Sequence, residues 1–183
     1  MSNQPPNPAA PKPGIGSAQL ALLQQANQLL ASGQGAQAAP LFAQLAAQME
    51  SAQHSGRAAN LHAQAAHAFA DSRAGQAALG QARSALNLFI QNQMTQRTPM
   101  FYANITRKLR NKGMAVAAQS LEQEYGSRVG ALPAQPKAAA PKRRGALPTS
   151  CPKCGAPVRG HDANWIDDNT AECDYCGALL RAT

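Results

Sequence analysis

The stretch from Leu22 to Phe42, LLQQANQLLASGQGAQAAPLF, decides the fold of the larger part of the chain. Its alanines, leucines and glutamines favour a helix, and the glycines on either side of Gln34 interrupt that helix. Small residues at Ala26 and Ala38 would let two helices approach each other closely. The stretch therefore predicts a pair of helices joined by a tight turn.

Equivalent residues recur forty positions later, and again after a further forty. The matched sets are Leu22, His62 and Tyr102; Ala26, Ala66 and Thr106; Leu29, Phe69 and Leu109; and Ala38, Ala78 and Ala118. A period of this size is typical of a helical solenoid. The predicted fold class is therefore mainly α, with three helical hairpins. Their six helices are expected near residues 17–32, 36–52, 57–72, 75–93, 98–112 and 114–126.

The first hairpin also carries a family resemblance. Leu22, Ala26, Leu29, Ala38 and Phe42 fall at the spacings of a tetratricopeptide repeat, so residues 17–126 resemble that family. The family repeats at about 34 residues and ends each repeat near a proline, and this chain departs from it in both respects. HEAT-like helix pairs and a plain six-helix bundle are the alternatives that a period of forty leaves open.

Four cysteines stand in two pairs, Cys151-Pro-Lys-Cys154-Gly and Cys173-Asp-Tyr-Cys176-Gly. Two residues between paired cysteines let both thiolates reach one ion from a tight turn, and the glycine that follows eases the backbone. The residues between the pairs predict a β-hairpin, with strands at 163–166 and 170–172 around a turn at 167–169. The spacing therefore predicts one metal ion bound by all four cysteines.

On these cysteines, their glycines and the hairpin, residues 150–183 resemble the zinc ribbon family, which implies one Zn²⁺ per chain. Four protein thiolates close the coordination shell, so the ion would stabilise a unit too small to fold on its own core. Two disulfides, or iron as in rubredoxins, are the alternatives. Only Trp165 and Tyr175 offer aromatic cover, which favours zinc over iron, and His161 is interpreted as an exposed loop residue.

Two proline-rich segments without apolar periodicity, 1–16 and 127–149, are predicted to be disordered. We therefore expect a tail (1–16), a helical domain (17–126), a flexible basic linker (127–149) and a zinc ribbon (150–183), with the linker separating the two ordered parts. The net charge of +8 is uneven, because residues 149–183 carry three basic and five acidic side chains. No export signal or membrane-length apolar run is recognised, so a cytoplasmic protein is expected.

No constellation of residues predicts catalysis. Glu122 and Glu124 point to nearly opposite sides of their helix, and no phosphate-binding loop, serine-hydrolase motif or zinc-protease motif occurs, so the chain is not expected to be an enzyme. A polar stripe on the first helix of each hairpin is the candidate partner-binding surface, and its members are Asn27, His67, Asn104, Arg107 and Asn111. The alternative is an ordinary solvated helix face.

Together these features predict a non-enzymatic protein interaction adaptor with a structural zinc ribbon. If the helices stack as the resemblance implies, a protein or peptide partner would lie in their groove. The main alternative is a nucleic-acid-associated protein of transcription or translation that binds phosphate through the basic linker. A rubredoxin-like electron carrier is the third hypothesis, and no membrane partner is expected.

Overall fold

The computed structural model describes residues 15–132, 145–160 and 163–183. Within these ranges the chain is mainly helical, with a small sheet at its C-terminal end. The helices are α1 (Ser17–Ala31), α2 (Gly35–Ser51), α3 (Ser55–Asp71), α4 (Gly75–Gln91), α5 (Arg97–Asn111) and α6 (Ala115–Gly130), and the strands are β1 (Asn164–Trp165), β2 (Thr170–Glu172) and β3 (Leu179–Arg181). The predicted mainly α fold with a small β unit is confirmed. No described helix is both long and apolar enough to cross a bilayer.

The same turn follows each of the first five helices. At every one, a single residue adopts a left-handed conformation, and these residues are Gly33, Gln53, Arg73, Gln93 and Gly113. After α1, the Gln34 amide donates to the Leu29 carbonyl at 2.8 Å and the Gly33 amide donates to the Leu30 carbonyl at 3.1 Å. This is the Schellman pattern, which satisfies carbonyls left over at the helix end. The turn recurs every twenty residues, so the helices have nearly equal lengths. Two helices make one hairpin, which gives the period of forty.

Buried alanines set the distance between the helices. Ala26, Ala38, Ala66, Ala78 and Ala118 are all fully buried, as the forty-residue alignment predicts. Each helix packs against its neighbours in the chain; in addition α3 contacts α5 and α4 contacts α6. The three hairpins are therefore stacked in chain order.

The sixth helix is longer than the sequence indicated, since it continues to Gly130 rather than ending near residue 126. Gly126 suggested a helix end, but a Cβ built there would lie 3.4 Å from the hydroxyl of Tyr102 on α5. The helix continues through this glycine, which lies close to Tyr102 of α5. The predicted tail and linker fall mostly on residues 1–14 and 133–144, outside the described ranges.

The C-terminal unit, residues 145–160 and 163–183, is called the cysteine module below. Its sheet has the order β1-β2-β3 with antiparallel neighbours, and the first two strands form the predicted hairpin. The third strand was not predicted. Ala171 of β2 pairs with Leu180 of β3, and both side chains are buried.

The cysteine module packs directly on the helices. One continuous apolar cluster contains all four cysteines together with Leu23 of α1, Phe42 of α2 and Leu61 of α3. The expectation that the linker keeps the two ordered parts separate was therefore wrong. Apolar side chains of the first two hairpins and of the module form one shared core. The module needs this contact because a unit of its size can bury little apolar surface by itself.

Candidate functional site

Two loops of the cysteine module have the same backbone geometry. In the first, the Cys151 amide donates to the Ala156 carbonyl and the Gly155 amide donates to the Cys151 carbonyl, both at 2.8 Å. The second loop repeats both bonds from the amides of Cys173 and Gly177, at 2.8 and 2.9 Å. The two glycines have φ values of 76° and 73°, a region that a side chain disfavours. The glycine after each second cysteine is thus required by the turn, as the sequence indicated.

These loops bring the four predicted ligands together. The Sγ atoms of Cys151, Cys154, Cys173 and Cys176 all lie within 4.8 Å of one another, and all four side chains are buried. The Cys151–Cys176 and Cys154–Cys173 sulfur distances are 3.7 and 3.8 Å. A tetrahedral ion with metal–sulfur bonds of about 2.3 Å requires sulfur–sulfur edges of about 3.8 Å, whereas a disulfide requires about 2.0 Å. The thiols are free, and their arrangement fits one tetrahedral ion.

The four thiols lie so close together that the pKa values of two of them shift in opposite directions. Hydrogen bonds from Cys154 and Cys173 lower the pKa of Cys176 to about 4, while contacts with Cys173 and Cys176, together with burial, raise the pKa of Cys154. A thiolate without a cation is costly in this buried place, and a bound divalent ion would supply the charge that lets all four ionise.

Helix α1 holds the first cysteine loop through side-chain amides. Asn27 donates through Nδ2 to the Cys154 carbonyl at 2.8 Å, and Gln24 donates through Nε2 to the Lys153 carbonyl at 2.7 Å. A Cβ at Gly155 would lie 3.6 Å from the Cβ of Asn27, so the loop and the helix are in van der Waals contact. Asn27, predicted as a partner-binding residue, is only 8% exposed and instead binds the cysteine module.

Helix α3 holds the sheet and the second cysteine loop through a buried arginine. Nη2 of Arg57 lies 2.8 Å from Oε1 of Glu172 on β2, and the two side chains are 8% and 13% exposed. The guanidinium also rests against Gly177, where a Cβ would overlap Nη2. Gly177 is therefore required twice, for its positive φ and for the space that Arg57 fills.

Two further contacts fix the second loop between α3 and α5. Gln64 of α3 donates to the hydroxyl of Tyr175 at 2.9 Å, and Arg97 of α5 donates to Oδ2 of Asp174 at 2.6 Å. Burial raises the pKa of Tyr175, and burial also raises the pKa of Asp174 despite the opposing charge of Arg97. The acidic face of the cysteine module thus meets arginines of the helices.

Beyond these contacts an open cleft of about 650 Å³ lies between α3, α5 and the cysteine module. Four of the five predicted partner-binding residues line it: His67, Asn104, Arg107 and Asn111. Asn104 accepts a hydrogen bond at 2.8 Å from Nη2 of Arg107. The predicted stripe therefore faces one groove, part of which the module fills and part of which stays open.

His67 forms part of the cleft wall. Its ring packs edge-on against Phe101 at 5.4 Å, and Nδ1 is buried without a hydrogen-bond partner among the described residues. Burial, reinforced by the charge of Lys108, lowers the pKa of His67 to about 4. The imidazole is therefore neutral at physiological pH.

Most of the positive charge on α5 is compensated. Lys108 and Lys112 lie 2.6 and 3.5 Å from the carboxylate of Asp71, and Arg110 lies 2.6 Å from Glu122. Within the described ranges Arg107 forms no ion pair, and its guanidinium reaches only Asn104. Three of the cations between residues 107 and 112 are thus neutralised by Asp71 of α3 and Glu122 of α6.

Sequence reasoning missed the arginines that bind the module. Arg57 and Arg97 were not singled out, because their partners Glu172 and Asp174 are 115 and 77 positions away. The available signal was the separation of charge, with an acidic C-terminal unit opposite a basic helical domain. His161 lies outside the described residues.

Comparison of the chain with protein-family models, with curated proteins and with solved structures found no match.

Proposed function

We propose that this chain is a non-enzymatic protein interaction adaptor whose cysteine module is a zinc ribbon. One Zn²⁺ would be held by Cys151, Cys154, Cys173 and Cys176, with a structural role. The support is the donor set: four buried thiols at tetrahedral spacing leave no position for water or substrate. An ion in that place can stabilise the module and its contact with the helices, but it cannot act on a bound molecule.

The open cleft is the proposed partner site, and it is the observation that carries the proposal. Its volume of about 650 Å³ falls within the range of roughly 300–1,000 Å³ typical of ligand-binding pockets. Its walls combine apolar surface from Phe101, Met100 and Tyr175 with polar groups from Asn104 and Arg107. Apolar walls with a few directed polar groups suit the side chains of a peptide or protein segment.

Panning a displayed peptide library on the zinc-loaded full chain tests this function. The enriched peptides should bind the purified parent and lose binding to Arg107→Glu. Arg181→Glu is the matched control, because Arg181 is exposed on β3 and does not line the cleft. Peptides that bind all three proteins equally, or a library from which nothing is enriched, would contradict a partner site in the cleft.

The nucleic-acid alternative has less support. The α5 cations that would bind phosphate are paired with Asp71 and Glu122, and the linker residues Lys142, Arg143 and Arg144 lie outside the described ranges. Binding through the linker should weaken steeply with salt and disappear when these three residues are neutralised, without any effect of Arg107→Glu.

A further inference from the structure

Resting on the proposed function, we infer that the cleft binds an acidic peptide segment and that its binding site is composite. Arg107 of α5 and Arg159 of the cysteine module bind the partner's carboxylates from the helical side and from the module side. The cysteine module is then a wall of the partner site as well as a metal-stabilised unit.

The charge of the cleft points to an acidic ligand. Five cationic and two anionic side chains line it: Arg97, Arg107, Lys108, Lys112 and Arg159, with Asp71 and Asp174. Asp174 is engaged by Arg97, and Asp71 is engaged by both lysines. Within the described ranges this leaves Arg107 and Arg159 without a carboxylate. Two guanidinium groups on one cleft, neither with a carboxylate partner among the described residues, favour a ligand that brings two carboxylates, since arginine binds carboxylate in a bidentate manner.

The composite character follows from the position of Arg159. It lines the same cleft as Arg107 but belongs to the cysteine module, near Pro157 and Tyr175. The positive charge of Arg159 contributes to lowering the pKa of His67 on α3 and opposes the rise in the pKa of Tyr175, so Arg159 lies at the junction of helix and module. Hydrogen bonds from Gln64 to Tyr175 and from Arg97 to Asp174 hold the module against the helices at this cleft, so both arginines line one site.

The apolar part of the cleft favours a peptide over a nucleic acid. Phe101 is almost buried, and Met100 keeps 40% of its surface exposed beside it. An apolar side chain flanked by acidic residues would cover Met100 while its neighbours reach Arg107 and Arg159. A nucleic-acid strand needs a continuous track of unpaired cations, and Lys108 and Lys112, both paired with Asp71, do not supply one.

The test uses the zinc-loaded full chain and a fluorescein-labelled peptide with the sequence Glu-Asp-Glu-Phe-Asp-Glu-Leu, followed by fluorescence anisotropy. The parent should bind, and Arg107→Glu and Arg159→Glu should each weaken binding by about tenfold or more. Arg181→Glu makes the same charge change on the module outside the cleft and should alter affinity by less than about twofold. Zinc content and circular dichroism check that each variant is folded, and Arg159→Gln, which should weaken binding less than Arg159→Glu, replaces it if that variant does not fold.

Each other outcome overturns the inference in a distinguishable way. If Arg107→Glu weakens binding and the Arg159 variants do not, the site is not composite, while the proposed function stands. If library-selected peptides need Arg107 but the acidic peptide does not bind, the ligand class is wrong. Oligothymidylate that binds as tightly as the peptide, with the same dependence on both arginines, would make the ligand a nucleic acid. If neither arginine affects any peptide, the inference and the proposed function both fail.

Discussion

Replacing Arg57 with Met tests the docked arrangement at an ion pair between α3 and the cysteine module. The substitution keeps an apolar stem but leaves the carboxylate of Glu172, only 13% exposed, without its arginine. Removing one partner of a buried ion pair costs about 3 kcal/mol, because the other charge stays buried and unpaired. With a urea m-value of about 2 kcal/mol/M, the unfolding midpoint should fall by about 1.5 M.

Two signals follow this unfolding separately. Trp165 is the only tryptophan and lies on β1, so its fluorescence reports the cysteine module, whereas far-ultraviolet circular dichroism reports the helices. Because the module and the first hairpins share one core, both transitions should coincide in the parent and shift together in Arg57→Met.

The control is Arg83→Met, which breaks a pair with Glu124 whose members are both 41% exposed and should cost less than about 1 kcal/mol. In a double-mutant cycle, Glu172→Gln should remove most of the penalty of Arg57→Met. A midpoint no lower than that of the control, or a fluorescence transition that moves while the dichroism does not, would refute the shared core.

Three further predictions concern the helices. Gly33 and Arg73 both adopt a left-handed conformation, which only glycine adopts without strain. Gly33→Ala should therefore lower the free energy of unfolding by about 1 kcal/mol, and Arg73→Gly should not lower it. Urea unfolding of the two variants measures both changes. Ala66→Glu should destabilise by about 3 kcal/mol or prevent folding, since Ala66 is fully buried, whereas Ala47→Glu on the exposed face of α2 should change the melting temperature little. The pKa of His67 is lowered to about 4 from 6.5, so below pH 6.5 the unfolded state binds more protons. Its contribution to stability is therefore complete above pH 6.5 and falls by up to about 3 kcal/mol as the pH drops to 4. His67→Gln should flatten that part of the pH–stability curve, and an unchanged slope would contradict the burial of a neutral imidazole.

The helices and the convergence of the four cysteines were predictable because both depend on short-range patterns. Alanine, leucine and glutamine set the helices, and Gly33 and Gly113 mark two of the turns. The cysteines converge because each loop is closed by bonds between residues at most five apart. The twenty-residue spacing of the turns could not be predicted, because Gln53 and Arg73 occupy left-handed positions that are usually glycine.

The association of the module with the helices could not be predicted from local patterns. It depends on pairs such as Arg57 with Glu172 and Asn27 with the Cys154 carbonyl, which are separated by 115 and 127 positions. The third strand was missed because Leu179 to Arg181 is too short to show alternation. Leu180 completes the sheet only once it lies opposite Ala171.

The proposed metal centre would stabilise the fold of the module, and through it the contact with the helices and the proposed composite cleft. X-ray absorption at the metal edge therefore tests the account most directly. Protein purified without added metal should contain one zinc per chain with four sulfur neighbours at about 2.3 Å and no nitrogen or oxygen neighbour. Iron at the site, a mixed sulfur and oxygen shell, or metal-free protein with two disulfides would contradict the account.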